Sequence, residues 1–482
     1  MKLFWVISVL MFSNLGLYAN MHQEDVTKQA IVKIYTSSKI PNYQEPWSSS
    51  MQSSTGSGAI IEGGYILTNA HVVANQAFIE VQRYGQRKRY IAKVYAVSHQ
   101  ADLALLKVEE DAFFKGVLPL TFGDLPEVEE KIVVYGYPMG GSTLSATIGV
   151  VSRVEHHTYA HSGESFLAVQ VDAAVNPGNS GGPALSHGKI VGVVMQVIKQ
   201  SQNIGYLVPV SMVKHFIDDM KDGQYNGFAD IGLGTQKLEN PAMRRYYGLD
   251  ENTSGKLINK VVHNSSLSGL VKEDDIVTRV DGHKIENDGT VEFRRHEYTH
   301  FHYFIDQHQI GEQVMFDIIR EQKHLKVKAH LKHTADDMYL VKTTRYDEMP
   351  TYFVFGGYVF SPLTRNLILS TGKNRLKLSY LASKWQESDK SEVVVLLKVL
   401  ASDMSRGDNN FGMWPIDKVN GETFKDFNEF YEKVNAISDD YLVLEDEDGV
   451  KVIIDTEEAR LKQKSILKKY NIEFDKSIDL RD

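Results

Sequence analysis

The sequence predicts a mainly β protein of about three domains, from its length, its closely spaced strand patterns and a later change of texture. At 482 residues the chain is too long for one hydrophobic core. From Val26 to about Pro209, short β-type segments follow one another between glycines without intervening amphipathic helices. This pattern is typical of barrels or sandwiches. Apolar residues at helical spacing predict one helix over 210–220 that closes the domain.

Two smaller α+β modules are predicted after the β-rich domain. Strands and a tight unit over 274–282 make up the first module. Residues 416–421 echo part of that unit, which predicts a second, diverged module with a helix over 424–434. Charged residues over 457–470 predict a helical tail with a solvated face. We therefore divide the chain into residues 1–19, 20–224, 225–334 and 335–482.

The composition narrows the function classes. Hydrophobic residues make up 42% of the chain and charged residues 24%, which is ordinary for a soluble globular protein. The net charge of -9 argues against nucleic acid as a partner, because phosphate binding needs a concentrated basic face. The chain has no cysteine, which excludes disulfides, cysteine-ligated zinc, thiol catalysis and lipoprotein anchoring. We expect no cofactor and no metal.

The N-terminus predicts export. Lys2 precedes an apolar run from Leu3 to Phe12, and no acidic residue appears before Glu24. A positive start, an apolar stretch and a small residue at Ala19 are the features of a signal peptide. We predict that residues 1–19 are a cleaved signal peptide, with an uncleaved membrane anchor as the alternative. The mature protein is then expected in the periplasm, with secretion as the other possibility.

Three short segments carry residues suited to peptide hydrolysis. His71 follows directly after a strand, Asp102 opens an apolar strand, and Ser180 lies in a glycine-rich loop. A serine nucleophile needs a base that takes its proton and returns it to the leaving amine, and a histidine does this near neutral pH. A buried aspartate can hold that histidine in one tautomer and stabilise its charged form. We therefore predict that His71, Asp102 and Ser180 form a catalytic triad.

Each of these residues alone has an ordinary structural explanation. A single histidine among apolar residues is usually structural, an aspartate that opens a strand is usually a turn residue, and a glycine-rich segment is usually a loop. Their order and their positions at three strand–loop junctions favour the catalytic interpretation.

The serine loop also predicts a site for the oxyanion of the tetrahedral intermediate. Such a site needs backbone N–H groups aimed at one point. Gly178 tolerates dihedral angles that other residues resist. A tight loop over Gly178, Asn179 and Ser180 can therefore supply these donors.

Several motifs closely resemble the Deg/HtrA family of serine proteases. The most general of them cover residues 56–58, 68–73, 102–106 and 176–183. Further segments resemble the branch of that family best known from plant organelles: residues 122–126, 136–141, 203–206, 287–291 and 356–363. The resemblance extends over nearly everything after residue 19, and the serine loop is its most specific part.

The resemblance implies a chymotrypsin-like double β-barrel followed by two PDZ-type modules, assembled as trimers or multiples of trimers. It also implies digestion of unfolded or damaged polypeptides without ATP. The alternative is a chaperone or stress sensor whose protease domain is switched on when its PDZ modules are occupied. Because all three triad residues are present, permanent inactivity is not expected.

The segment 231–234 is the predicted peptide site of the first module. In PDZ modules a peptide C-terminus adds as a strand beside a glycine-containing loop. The matching residues are Ile231, Gly232, Leu233 and Gly234, although a glycine-broken strand is as often a bulge. The second module departs from the usual PDZ pattern, so peptide binding and assembly both stay open as its role.

The predicted walls of the substrate pocket are residues 191–196 and 205–208, beside Ser180. They contain Met195, Tyr206 and Leu207 but no acidic residue that could pair with a basic side chain. We expect small or medium apolar side chains before the cleaved bond. Tyr206 and Leu207 could equally belong to the barrel core.

A competing signature, His-Glu-x-x-His, runs from His296 to His300. On a helix this pattern places two zinc ligands and a base on one face. Here it lies within the first PDZ-like module and resembles a loop that enters a helix. Since no glycine-and-histidine extension follows, we interpret it as an exposed loop, with adventitious metal binding as the alternative.

Overall fold

The computed structural model describes residues 26–139, 141, 143–173, 175–197, 204–372 and 376–481. Strands dominate: two closed barrels come first, and smaller α+β regions follow. The predicted mainly β fold class is therefore confirmed. The predicted signal peptide, residues 1–19, lies outside the described residues. Among the helices of the described residues, none is long and apolar enough to cross a membrane.

Six strands form the first barrel. They are β1 (Ile31–Pro41), β2 (Ser49–Ile61), β3 (Tyr65–Thr68), β4 (Gln76–Arg83), β5 (Tyr90–Ser98) and β6 (Leu103–Val108). Hydrogen bonds close them in the order β1-β2-β3-β6-β5-β4. Along much of β1, buried and half-buried residues alternate, as expected for a strand with one face toward a core. The short helix α1 (Ala70–Val73) follows β3, so His71 lies where a barrel strand ends.

The second barrel follows directly. Its strands are β7 (Lys131–Gly136), β8 (Ser145–Thr158), β9 (Ser165–Val171), β10 (Pro183–Ser186), β11 (Lys189–Val197) and β12 (Gly205–Pro209). They close in the order β10-β11-β12-β9-β8-β7 around an aliphatic core that includes Ile132, Val169 and Leu207. Helix α2 (Val210–Asp219) follows, within a residue of the predicted span.

The described residues divide into two compact units, each made of several stretches of the chain. The first unit holds the chain up to Ser38, Gln52–Gly227 and Thr290–Gln309. The second holds Lys39–Met51, Phe228–Gly289 and the chain from Ile310. Residues 290–309 therefore group with the barrels, and residues 39–51 group with the modules.

The first module is built on an antiparallel sheet. Its part of the chain contains β13 (Leu233–Lys237), α3 (Pro241–Tyr246), β14 (Lys256–Val261), β15 (Ile276–Val280), β16 (His283–Lys284), β17 (Thr290–Arg294), β18 (Glu297–His300), α4 (His302–Ile305), β19 (Gln313–Arg320) and β20 (Lys323–His330). The sheet runs in the order β13-β14-β15-β19-β20, with β16 paired to β15. Strand β13 is therefore at one edge of the sheet.

Strands β17 and β18 form a separate hairpin that packs in the first unit. Phe293 on β17 and Tyr303 on α4 pack against the core of the second barrel. The Thr299 hydroxyl accepts a hydrogen bond from the His156 N–H at 3.2 Å. These apolar and polar contacts explain why the segment folds onto the barrel.

The second module contains two four-stranded sheets. Its elements are β21 (Phe353–Phe355), β22 (Tyr358–Pro362), α5 (Arg365–Ser370), α6 (Leu376–Leu381), β23 (Val394–Val399), β24 (Gly412–Ile416), β25 (Lys418–Val419), β26 (Glu422–Thr423), α7 (Phe427–Asn435), β27 (Tyr441–Glu445), β28 (Lys451–Asp455) and α8 (Thr456–Lys469). The strand orders are β21-β22-β23-β24 and β26-β25-β27-β28. The two sheets and α7 share one aromatic core, which includes Phe353, Phe360 and Phe430.

Helix α8 corresponds to the charged segment predicted over 457–470, but it is more than a solvated face. Ala459 and Ile466 on this helix are buried. The Gln463 side chain accepts a hydrogen bond from the Gly356 N–H at 2.8 Å and donates one to the Val354 carbonyl at 2.6 Å. These two hydrogen bonds therefore hold the helix against β21 and the turn that follows it.

Phe430→Ala is expected to lower the free energy of unfolding of the second module by about 3–5 kcal/mol. The Phe430 side chain is 0% exposed and meets the Phe360 ring at 5.1 Å between centroids, so its removal leaves a cavity. Urea denaturation followed by tryptophan fluorescence measures the change. Leu369→Ala is the matched control because Leu369 is 70% exposed. An equal loss in both variants would contradict the position of this core.

Candidate active site

His71 and Asp102 meet through two hydrogen bonds. The His71 Nδ1 lies 2.7 Å from the Asp102 Oδ2, and the His71 backbone N–H donates to Oδ1 at 2.9 Å. Because an ionised carboxylate only accepts hydrogen bonds, Nδ1 carries the ring proton. Nε2 is then the nitrogen that can accept a proton from a nucleophile.

Asp102 is held in an uncommon backbone conformation next to this pair. Its φ is 53°, and its side chain is only 1% exposed. The Asn69 side-chain amide donates to the Asp102 carbonyl at 2.8 Å, and Asn69 is itself fully buried. Asn69 therefore positions Asp102, a role that the sequence did not predict although the residue stands directly before the Ala70–His71 pair.

Burial and pairing act in opposite directions on this pair. Burial alone would lower the pKa of His71, but the charge and hydrogen bond of Asp102 outweigh it, so the pKa lies above its ordinary value of 6.5. Burial alone would raise the pKa of Asp102, whereas the His71 charge and hydrogen bonds, with a smaller effect of His161, hold it below its ordinary value. Both shifts favour an ionised carboxylate beside a proton-accepting imidazole.

The Ser180 loop has its own fixed geometry. The Pro177 carbonyl accepts a hydrogen bond from the Met139 N–H at 2.7 Å. In a trans peptide the C=O and the following N–H point in opposite directions, so the Gly178 N–H faces away from Met139. Among the described residues, neither the Gly178 N–H nor the Ser180 N–H donates a hydrogen bond. Both remain available as donors to an oxyanion.

The Asn179 N–H differs from the prediction. It donates to the Asn176 carbonyl at 3.0 Å, within the loop. Of the oxyanion donors predicted from sequence, Gly178, Asn179 and Ser180, the Asn179 N–H is therefore already used within the loop, whereas those of Gly178 and Ser180 are not. A tight turn uses the N–H of its fourth residue, and the sequence alone did not reveal where this turn begins.

Two glycines of the loop are required by close approach to neighbouring backbone. Gly178 has a φ of 99°, and a side-chain carbon there would lie 2.4 Å from the Tyr137 carbonyl oxygen. Gly181 has a φ of 82°, and a side-chain carbon there would lie 2.1 Å from the Thr68 hydroxyl. A larger residue at Gly178 would push the serine loop away from the segment that follows β7, and one at Gly181 would push it away from the first barrel.

Ser57 joins the serine loop to the first barrel, a role that the sequence did not predict. Its hydroxyl donates to the Gly178 carbonyl at 2.7 Å and accepts from the Tyr137 N–H at 2.8 Å. Its backbone N–H donates to the Ser180 carbonyl at 2.8 Å. Since Ser57 is fully buried, water does not compete for these bonds.

The predicted pocket residues lie on two neighbouring strands beside the serine loop. The Val194 carbonyl accepts from the Gly181 N–H at 2.9 Å, and Met195 follows at a register shift of β11. Leu207 is fully buried within the second barrel, which matches the barrel-core alternative. Tyr206 stacks on the His157 ring, 4.0 Å between centroids, with only 4% of the residue exposed.

Two histidines near the pair were not predicted. The His161 ring lies 6.0 Å from the His71 ring between centroids, and its Nε2 lies 2.9 Å from the His99 Nδ1. His161 lies on the loop between β8 and β9, and closure of the second barrel brings this loop close to His71. Its distance from the triad motifs along the chain explains why sequence patterns did not reveal it.

The predicted peptide segment of the first module lies at a sheet edge. Gly232 has a φ of 64°, and its N–H donates to the Asp230 carboxylate at 2.7 Å. Ile231 is fully buried, while Leu233 and Gly234 begin the edge strand β13 and pair with β14. Burial raises the pKa of Asp230, against the backbone N–H groups that lower it.

The His-Glu-x-x-His segment lies on the β17–β18 hairpin, not on a helix. His296 has a φ of 65° in the turn, and Glu297 to His300 form β18. The expected loop entering a helix is thus a strand. Residues four apart in a strand lack the helical geometry on which the zinc motif depends.

Two parts of the chain match known families, and relatives cover nearly all of it. Residues 56–193 match the trypsin-like peptidase domain family, and residues 341–479 match a PDZ domain family. Protease Do-like 2, chloroplastic, from Arabidopsis thaliana is 36% identical over 459 residues, 94% of this chain and 75% of that protein. Protease Do-like 4, mitochondrial, from the same plant is 35% identical over 450 residues, 93% of this chain and 85% of that protein.

The fold also occurs in solved structures. HtrA-type protease AlgW with tripeptide has a TM-score of 0.52 to this chain, at 22% identity, over 65% of this chain and 96% of that one. At this identity the likeness supports the fold alone.

Asp102→Asn is expected to lower the pKa of His71 below 6.5, because the burial that lowers it remains while the charge that raises it is removed. Histidine ring NMR signals titrated against pH measure the shift, with His71→Gln to assign the resonance. Asp124→Asn is the control, since that carboxylate is fully exposed. A His71 pKa that is equal in the wild type and Asp102→Asn would contradict the coupling.

Proposed function

The chain belongs to the Deg/HtrA family of serine endopeptidases, and we propose that it degrades unfolded or damaged polypeptides without ATP through His71, Asp102 and Ser180. The observation that carries the assignment of residues is the doubly bonded His71–Asp102 pair beside the serine loop. Gly56 supports the proximity of the His71 segment to the serine loop, because a side-chain carbon at Gly56 would contact both Val72 and the Ser180 carbonyl.

In the proposed reaction, His71 Nε2 removes the proton of the Ser180 hydroxyl as its oxygen bonds to the substrate carbonyl carbon. The electron pair of the C=O bond moves to the oxygen, which the N–H groups of Gly178 and Ser180 stabilise. His71 then gives its proton to the amine as the peptide bond breaks. Water repeats the sequence on the acyl-enzyme, and Asp102 stabilises the imidazolium in both halves.

The proposed substrate preference is a small or medium apolar side chain before the cleaved bond. Met195 supports this because it follows Val194, whose carbonyl binds the Gly181 N–H next to the nucleophile. The described residues of β11 and β12 bring no acidic side chain to the pocket that could pair with a basic one.

We further propose that substrate C-termini pair with β13 next to Ile231 and Gly232, since an edge strand offers unpaired main-chain groups. We also propose that the protein assembles from trimers. We propose further that it is exported from the cytoplasm, with the periplasm as the preferred location. The two Arabidopsis relatives are named as a mitochondrial and a chloroplastic protein, and these locations apply to the relatives alone.

Ser180→Ala is expected to reduce casein degradation by about a million-fold, because the nucleophile is removed. Ser165→Ala, at an exposed serine that begins β9, is the matched control and should retain wild-type activity. The measurement is release of acid-soluble casein fragments. Equal residual activity in wild type and Ser180→Ala would overturn the serine mechanism. If chelation abolished the activity while Ser180→Ala stayed active, metal-dependent cleavage at His296 and His300 would replace the serine mechanism.

A further inference from the structure

The tight turn between β5 and β6 ends at Asp102, the aspartate of the proposed triad. Ser98 is the last residue of β5 and pairs with Leu103, the first residue of β6. The four residues 99–102 therefore reverse the direction of the chain. Asp102 closes the turn with a φ of 53°, a conformation that a residue other than glycine keeps only when its surroundings hold it there.

The Ser98 side chain holds this turn on its buried side. Its hydroxyl oxygen accepts a hydrogen bond from the Ala101 N–H at 3.1 Å. Ala101 is fully buried and directly precedes Asp102. Ser98 is itself 0% exposed, so water does not compete for the bond. The Ser98 hydroxyl is thus one of the groups that determine how the chain enters Asp102.

Tyr225 reaches the Ser98 hydroxyl from a distant part of the chain. It follows helix α2, lies 127 positions from Ser98, and its hydroxyl is hydrogen-bonded to the Ser98 hydroxyl. The Phe216 ring of α2 stands edge-on to the Tyr225 ring, 5.6 Å between centroids. The Asp219 carboxylate accepts a hydrogen bond from the Gly227 N–H at 2.8 Å. The segment that carries Tyr225 is therefore fixed to α2 on both sides of the tyrosine.

The second barrel holds the half-buried middle of the same turn. The His99 Nδ1 lies 2.9 Å from the His161 Nε2, and the Gln100 side-chain amide donates to the Glu164 carboxylate at 3.1 Å. These contacts come from the loop between β8 and β9. Tyr225 is therefore the partner that acts on the buried end of the turn, next to the aspartate.

We propose that Tyr225 is a positioning residue for the proposed triad, whose hydroxyl acts through Ser98 to keep Asp102 in the conformation that binds His71. This inference rests on the proposed function, because it assigns Tyr225 a part in the reaction of that site. Tyr225 bonds to Ser98, and Ser98 bonds to the Ala101 N–H, next to the aspartate. Without the hydroxyl, the strained end of the turn loses one of the groups that hold it. The aspartate should then bind His71 in only part of the molecules.

Tyr225→Phe removes the hydroxyl and keeps the ring against Phe216. We expect the kcat for dye-labelled casein to fall about three- to ten-fold with little change in KM, since that is the usual effect of one hydrogen bond and the substrate site is not touched. The pKa of His71, measured from its ring NMR signals, should fall toward that of Asp102→Asn, because a displaced carboxylate raises it less. The acid limb of the pH profile of kcat/KM should move to lower pH with it. The neighbouring His161 is unchanged in this variant.

A double variant shows whether Tyr225 acts through Ser98. Ser98→Ala should lower kcat at least as much as Tyr225→Phe, since it also removes the acceptor of the Ala101 N–H. Tyr225→Phe should have no further effect in the Ser98→Ala background. Tyr358→Phe is the matched control, because it removes a tyrosine hydroxyl bonded to Asp408 at 2.6 Å in the other compact unit. It should keep the wild-type kcat and the wild-type pKa of His71.

The outcomes separate this inference from the proposed function. If Ser180→Ala degrades casein as well as the wild type does, the proposed function fails. If Ser180→Ala is inactive but Tyr225→Phe keeps the kcat or the His71 pKa of the wild type, the positioning role alone is overturned. An equal loss from Tyr225→Phe with and without Ser98 would also overturn it, because the tyrosine would then act by another route. The His71 pKa is measured on Tyr225→Phe by itself, so the test remains decisive if Ser98→Ala does not fold.

Discussion

Buried Ser57 joins the two barrels beside the proposed catalytic groups through both its side chain and its main chain. Its hydroxyl binds Gly178 and Tyr137, its N–H binds the Ser180 carbonyl, and its own carbonyl accepts from the Thr68 hydroxyl at 2.7 Å. The first barrel supplies His71 and Asp102, whereas the second supplies Ser180. This fully buried residue therefore helps to set the distance between the proposed base and nucleophile, and water does not compete for its bonds.

A second constraint is the charge of Asp102, which is costly to bury without partners. Both of its carboxylate oxygens are bound by His71, one through the ring and one through the backbone N–H. Asn69 fixes its carbonyl from the other side. The aspartate is thereby kept ionised at the start of β6, where its charge stabilises an imidazolium. The same two hydrogen bonds from His71 thus satisfy the buried carboxylate and hold it in place for the chemical role proposed for it.

The strand-rich fold could be predicted from sequence because strand spacing and glycine positions are local signals. The residues of the proposed triad could be named because each lies in a short motif at a strand end. The sequence did not reveal the use of the Asn179 N–H inside the turn, since that depends on the dihedral angles of the loop. It also did not reveal the approach of His161 or the packing of residues 290–309 onto the barrel, which result from contacts distant in sequence.

The edges of the two module sheets lead to different expectations for peptide uptake. An unpaired edge strand attracts any extended chain, which is a route to binding and also to aggregation. In the part of the chain that the structure describes, β13 pairs with β14 alone, so an incoming strand needs to displace no strand of the sheet. At β21, by contrast, Asp475 and Ser477 already bind the main chain of the edge. The chain therefore covers the edge of β21 with its own main chain and leaves the edge of β13 for the peptide pairing proposed above.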